Sequence, residues 1–186
     1  MEALREHSWG NFEDRFLDEL VEWIDGRRVL EVFAGNGLLA RKLRERGVDI
    51  IPTTTFQGHD FHEFGMHCEV EELTAVNAIQ KYAHQCDVLL MSWPVSTEDA
   101  SAASVLWGEE KPLIFIGEVT DLSINQLGGC ASDSFFEMTK VTHTFQSYRQ
   151  GRSGIEHACI RQVLPGAREI LKRALDEWNS KFGAFR

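Results

Sequence analysis

Four short, unbroken apolar runs, Arg28–Phe33, Val48–Pro52, Asp87–Ser92 and Pro112–Ile116, alternate with stretches of helical composition. A strand that is apolar on both sides must be covered on both faces, and parallel sheets achieve this with crossover helices above and below. The alternation predicts an α/β chain with a Rossmann-like, doubly wound, mostly parallel sheet and helices on both faces. A leading helix is expected over 12–24, where Phe12, Phe16, Leu17, Leu20, Val21 and Ile24 recur at helical spacing, with Asn11 as N-cap and Gly26 as stop. Further helices are expected at 38–46, at 73–83 and at 96–107, the last capped by Ser96 and closed by Gly108.

The last third of the chain changes character. A short helix over 132–139 precedes two strand-like segments, 141–148 and 155–163, joined by a hairpin-type connection at Arg149–Gly154. With a polar stretch supplying a short strand or turn before Val70, this makes a seven-stranded sheet that ends in an antiparallel hairpin. Pro165 and Gly166 introduce a final amphipathic helix carrying Ile170, Leu171, Ala174, Leu175 and Trp178. One domain over residues 1–186 is expected: a leading helix through 26, a core over 27–163 and a C-terminal helix over 165–186.

Charge and cysteine usage narrow the function classes. The chain has 186 residues with 29 acidic against 19 basic side chains, a net charge of −10. Affinity for a phosphate backbone comes largely from Lys and Arg displacing counterions, so nucleic acid is not the expected partner. No apolar run approaches the roughly 18 residues of a membrane helix, and the charged Met1–His7 start is unlike a secretory signal; a cytoplasmic location is expected. Cys68, Cys86, Cys130 and Cys159 are scattered, which predicts reduced thiols. His59, His62, His67 and Cys68 match no zinc spacing, and no metal site is expected. Neither the P-loop nor the nucleophile-elbow pattern is present.

The segment Glu31–Gly37 is the most informative. Two glycines between a buried strand and a helix let the backbone approach a ligand that bulkier residues would block. From Gly35 onward the residues match the dinucleotide pattern G-x-G-x-x-G/A, which allows a nicotinamide cofactor. That pattern also requires an acid about 20 residues on to hold the ribose, and Thr53, Thr54 and Thr55 stand there instead. Glu31, by contrast, lies inside the first apolar run, where a carboxylate needs either an ion-pair partner such as Arg28 or a ligand with positive charge.

Glu31–Gly37 resembles the first motif, acid-x-x-x-G-x-G, of class I S-adenosylmethionine-dependent methyltransferases, and the strand order extends the resemblance from about Gly26 to Val163. The resemblance implies that Glu31, Phe33, Ala34, Gly35, Asn36 and Gly37 line S-adenosylmethionine. It also implies an acid after the second strand at the ribose, for which Asp60 is the candidate, and an adenine contact among Glu69, Glu71 and Glu72, with Glu71 preferred. Ser92–Val95 resembles the fourth motif of the amino-group methyltransferases, D/N/S-P-P-aromatic, with Ser92 and Pro94 kept, Trp93 one place early and Val95 in place of the stacking ring.

Methyl transfer is an in-line displacement that depends chiefly on orientation and a dry, preorganised field. The resemblance therefore implies transfer to a nitrogen, or less favourably an oxygen, of a small-molecule or protein acceptor, with Ser92, Trp93 and Pro94 bordering it. Where the acceptor is protonated a base is required, and Glu118, His143 and His157 are candidates. Each has a structural alternative: a turn cap for Glu118, ordinary strand positions for the histidines, and core packing for Trp93. A binding or regulatory protein that retains this fold without turnover is the reading from a different class.

Overall fold

The computed structural model describes residues 7–57, 62–151 and 153–182. Seven strands, β1 (Val29–Val32), β2 (Ile50–Thr54), β3 (Glu71–Glu72), β4 (Val88–Ser92), β5 (Leu113–Glu118), β6 (Thr139–Thr144) and β7 (Glu156–Val163), form one sheet. Their order is β3-β2-β1-β4-β5-β7-β6. The first five pair in parallel, with Val29 opposite both Ile50 and Val88, whereas β7 runs antiparallel to β5 and β6. The expected architecture is present, including the C-terminal hairpin.

Helices α1 (Asp14–Ile24), α2 (Leu38–Arg44), α3 (Ala75–Tyr82), α4 (Asp99–Trp107), α5 (Asp133–Met138) and α6 (Ala167–Phe182) cover the sheet. Alternation along the strands divides the core in two. Val29, Ile50, Val88, Leu90, Ile114 and Ile116 pack with Phe16, Leu17 and Leu20 of α1 and with Leu39 and Leu43 of α2. Leu30, Val32, Leu89, Met91, Leu113 and Phe115 face α3, α4 and Phe135 of α5 on the other side. At roughly 25 cal/mol per Å² of apolar surface removed from water, these two layers supply most of the driving force for the fold. Among the described residues no helix is long and apolar enough to cross a membrane.

Several boundaries differ from the sequence expectation for local reasons. The first helix begins at Asp14 behind Glu13; the Asn11 amide donates to the Glu13 carboxylate (3.3 Å) instead of capping. The fourth begins at Asp99, not at Ser96, because the Thr97 hydroxyl bonds the Asp99 carboxylate (2.8 Å) and holds the preceding residues in a turn. The second ends at Arg44, and the third spans only Ala75–Tyr82, with the Thr74 hydroxyl accepting from the Asn77 amide (3.1 Å). The sixth strand starts at Thr139, opposite Val163, and stops at Thr144, because Phe145 turns inward to meet Phe16 and His143.

One buried cation braces the hairpin. Arg161 is 5% exposed; its Nε donates to the Thr139 hydroxyl (2.8 Å), its Nη2 to the Thr139 carbonyl (3.1 Å), and its guanidinium lies over Phe135 and Phe136. Burial lowers its pKa.

Candidate functional site

The carboxyl ends of β1 and β4 are adjacent, and the chain leaves both strands through aromatic residues in the left-handed region, Phe33 (φ 64°) and Trp93 (φ 51°). Between them opens a small, solvent-open crevice. Its walls include Glu31, Phe33, Ala34, Gly35, Asn36, Ser92 and Trp93, so the structure brings together most of the residues singled out in the first and fourth motifs.

The glycine turn is built as its sequence requires. Gly35 (φ 52°) and Gly37 (φ 76°) both take positive φ, which a side chain disfavours. A Cβ on Gly37 would stand 2.8 Å from Cys68 Sγ and from Val70 Cγ2, so this glycine serves close packing behind the turn. Asn36 is 5% exposed and ties three segments together: its Oδ1 accepts from the Leu38 amide (3.2 Å), its carbonyl from the His67 amide (2.9 Å), and its Nδ2 donates to the His7 carbonyl (3.0 Å).

Glu31 is 1% exposed, and among the described residues its Oε2 has no hydrogen-bond partner. Burial pushes its carboxyl up to about 8, opposed only by the field of Arg44. The alternative partner is engaged elsewhere: Arg28 pairs with Asp49 (3.0 Å) and donates to Gln85 (2.9 Å). A buried acid left without a partner at the wall of a crevice is a site prepared for a donor or a cation.

The remaining residues occupy varied places. Ser92 is half-buried on the crevice wall, next to Trp93, whose ring packs against both layers of the core. Pro94 is buried and its carbonyl accepts from the Ala131 amide (3.1 Å), so one of its lone pairs is already committed to the fold. Val95 is exposed. Glu118 lies outside the crevice wall and accepts from the Gly129 amide (2.7 Å), which is the turn-capping arrangement. His143 and His157 are exposed on the hairpin strands. Glu71 is committed to Lys81 (2.5 Å) and to the Tyr82 hydroxyl, two hydrogen bonds that hold its carboxyl below the usual range. Ser132 is the N-cap of α5 without a side-chain capping bond. Asp60 and His59 lie outside the described residues.

Sequence reasoning missed the segment before α1. His7, Ser8, Trp9, Gly10 and Phe12 form the outer wall of the crevice, clasped to the glycine turn through Asn36. The available signal was Trp9, a large aromatic residue standing ahead of a helix whose apolar face does not need it.

No family model matches the chain, and no curated protein matches it. Solved structures do. A variant of MtNAS in complex with S-adenosylmethionine superposes with a TM-score of 0.50 at 13% identity, over 81% of this chain and 62% of that one. A protein of the NADB-Rossmann superfamily from Streptococcus agalactiae gives 0.51 at 11% identity, over 88% and 76%. A protein solved in a study of thioacetal formation during echinomycin biosynthesis gives 0.50 at 9% identity, over 88% and 87%. The chain spans about three fifths of the length of MtNAS. With the strand order above, these likenesses establish a Rossmann-like fold.

Proposed function

We propose that this protein is an S-adenosylmethionine-dependent methyltransferase that transfers a methyl group to a nitrogen, or less favourably an oxygen, of a small-molecule or protein acceptor. The observation that carries this reading is the buried, unpartnered Oε2 of Glu31 beside the glycine turn. An α-ammonium group is the complement that this acid lacks, because a cation offsets the cost of ionising a buried carboxyl, which the pyrophosphate of a dinucleotide does not.

S-adenosylmethionine would supply an electrophilic methyl on a sulfonium. The chain's own residues would supply the rest. Glu31 would hold the amino end, and the backbone of Ala34, Gly35 and Gly37 would let the ligand lie close. Phe33 and Trp93 would keep water out of the crevice, and the Ser92 hydroxyl, at the β4 end, would accept from an acceptor N–H or O–H and aim its lone pair. Orienting two reactants in this way contributes up to about 7–11 kcal/mol.

A second reading, a protein that binds the cofactor without turnover, is favoured by Val95 at the stacking position and by Thr53–Thr55 where an acid would hold the ribose. Calorimetry with S-adenosylmethionine, S-adenosylhomocysteine and NAD tests the ligand: micromolar binding of the first two and none of the third is expected. Gly35→Asp should abolish that binding, whereas Ser92→Ala should leave it intact and lower methyl transfer in a cell extract supplied with labelled cofactor. Unchanged affinity in Gly35→Asp would remove the placement, and binding without any transfer would favour the second reading.

A further inference from the structure

A second, wider concavity lies away from the crevice. An open groove of about 870 Å³ runs from the segment after β4, past the turn that precedes α5, to the outer side of α6. Its floor is polar: Glu98 accepts from the hydroxyls of Ser132 (3.0 Å) and Ser134, and both of these meet the Ser101 hydroxyl at 2.9 and 2.7 Å. Its rims are apolar, with Leu127 on one side, 70% exposed, and Leu175 of α6 on the other, 42% exposed.

The charge in the groove is unbalanced. Four carboxylates, Glu98, Asp133, Glu137 and Glu177, face two cations. Arg173 is taken by Glu137 (2.5 Å) and Lys181 by Glu177 (3.9 Å). Among the described residues no lysine or arginine lies within ion-pair distance of Glu98 or Asp133, which leaves an excess of two negative charges on a chain whose net charge is already −10.

The apolar rim is also held in place. Leu127 follows directly on a loop closed by paired Asp121–Gln126 backbone bonds (2.9 Å each), which carries the exposed Leu122 and Ile124 beyond the groove. The Gln126 side chain donates to the Val119 carbonyl (2.7 Å), and the Gly128 amide to the Thr120 hydroxyl (3.1 Å). A contact surface ordered in advance loses little conformational entropy when it binds.

We propose that this groove docks a basic, amphipathic segment of a partner protein, with aliphatic side chains against Leu127 and Leu175 and Lys or Arg at Asp133 and Glu98. A second copy of this chain would set carboxylates against carboxylates, and an anionic lipid surface would be repelled by the same charge. The inference concerns the groove alone and stands independently of the chemistry in the crevice.

The test uses the full chain and a synthetic peptide with leucine and lysine at helical spacing, its leucine–glutamate counterpart, and vesicles of anionic phospholipid. Micromolar binding of the lysine peptide is expected, weakening as salt rises from about 0.05 to about 0.3 M because exposed charges are then screened. No binding to the glutamate peptide or to vesicles is expected. Leu127→Asp and Asp133→Lys should each weaken the lysine peptide at least tenfold while S-adenosylmethionine affinity stays that of the parent. Equal binding of both peptides, binding unaffected by the two substitutions, or association with vesicles or self-association in place of peptide binding would overturn the inference. Peptide binding with no cofactor binding would leave it standing and remove the methyltransferase reading.

Discussion

Replacing Glu31 with glutamine should shift the stability of the ligand-free protein in the variant's favour, relative to the parent, by an amount that grows as pH rises from about 4.5 to about 8. Burial moves the Glu31 carboxyl from an ordinary value of 4.5 to about 8. Below pH 4.5 it is protonated in both the native and the unfolded chain. Between there and about 8 the unfolded chain releases the proton and the native one keeps it, so native stability falls as pH rises. Above about 8 both states are ionised and the loss levels off. At about 1.4 kcal/mol per pH unit, the parent should lose about 2 kcal/mol between about pH 5.5 and about pH 7 through this one group.

Glutamine does not titrate, so that slope should disappear. Its amide also needs a partner, which costs about 1–3 kcal/mol if unmet, but this cost is independent of pH. The difference between the two unfolding free energies, measured by urea titration across this range, therefore isolates the carboxyl. A difference that stays constant with pH, or that shrinks as pH rises, would refute the argument. Ligand binding offers the complementary test: if an ammonium group docks on the ionised acid, binding near neutral pH should expel close to one proton, visible in calorimetry as a dependence on the ionisation enthalpy of the buffer.

Gly37→Ala combines a φ of 76° with contacts of 2.8 Å to Cys68 Sγ and Val70 Cγ2, and it should lower thermal stability by about 1–3 kcal/mol; an unchanged melting temperature would show that the turn repacks without cost. Arg161→Ala should cost about 3–5 kcal/mol, because it leaves the Thr139 groups buried and opens a void beneath Phe135 and Phe136. Arg161→Lys should recover little, since one ammonium cannot reproduce the fork and the stacking together, and chemical denaturation of the three proteins would read this directly.

The buried strands were legible because they need no tertiary information. Val88–Met91 and Leu113–Ile116 are apolar on both sides, and that alone implies cover on both faces. Helix starts were less legible: Asn11 and Ser96 have the right chemistry for a cap, but in each case a side-chain bond to or among nearby residues gave the chain another local solution. The glycine turn and the place of Ser92 at a strand end were readable because both depend on residue type and spacing. The outer wall made by His7–Phe12 was not, because its contacts with Asn36 and Trp93 depend on where the chain passes after folding. The commitment of the Pro94 carbonyl to Ala131 was equally invisible, since nothing in the order of residues brings positions 94 and 131 together.

The same distinction explains why the crevice lies where it does. Phe33 and Trp93 each hold a backbone conformation that costs a bulky residue about 1–2 kcal/mol, and neither has a local reason to do so. What holds them is the sheet. The Trp93 amide donates to the Ile116 carbonyl (2.7 Å), and the Ala34 amide, one residue past Phe33, donates to the Thr53 carbonyl (3.0 Å). The parallel ladder thus fixes each strand end while the chain turns sharply out of it, leaving two rings facing a gap between β1 and β4. An acid without a partner and two strained aromatics lining that gap are among the places where local preference and global fold disagree. Disagreement of this kind between local preference and global fold is what a ligand site is expected to show, which makes the crevice the first place to test.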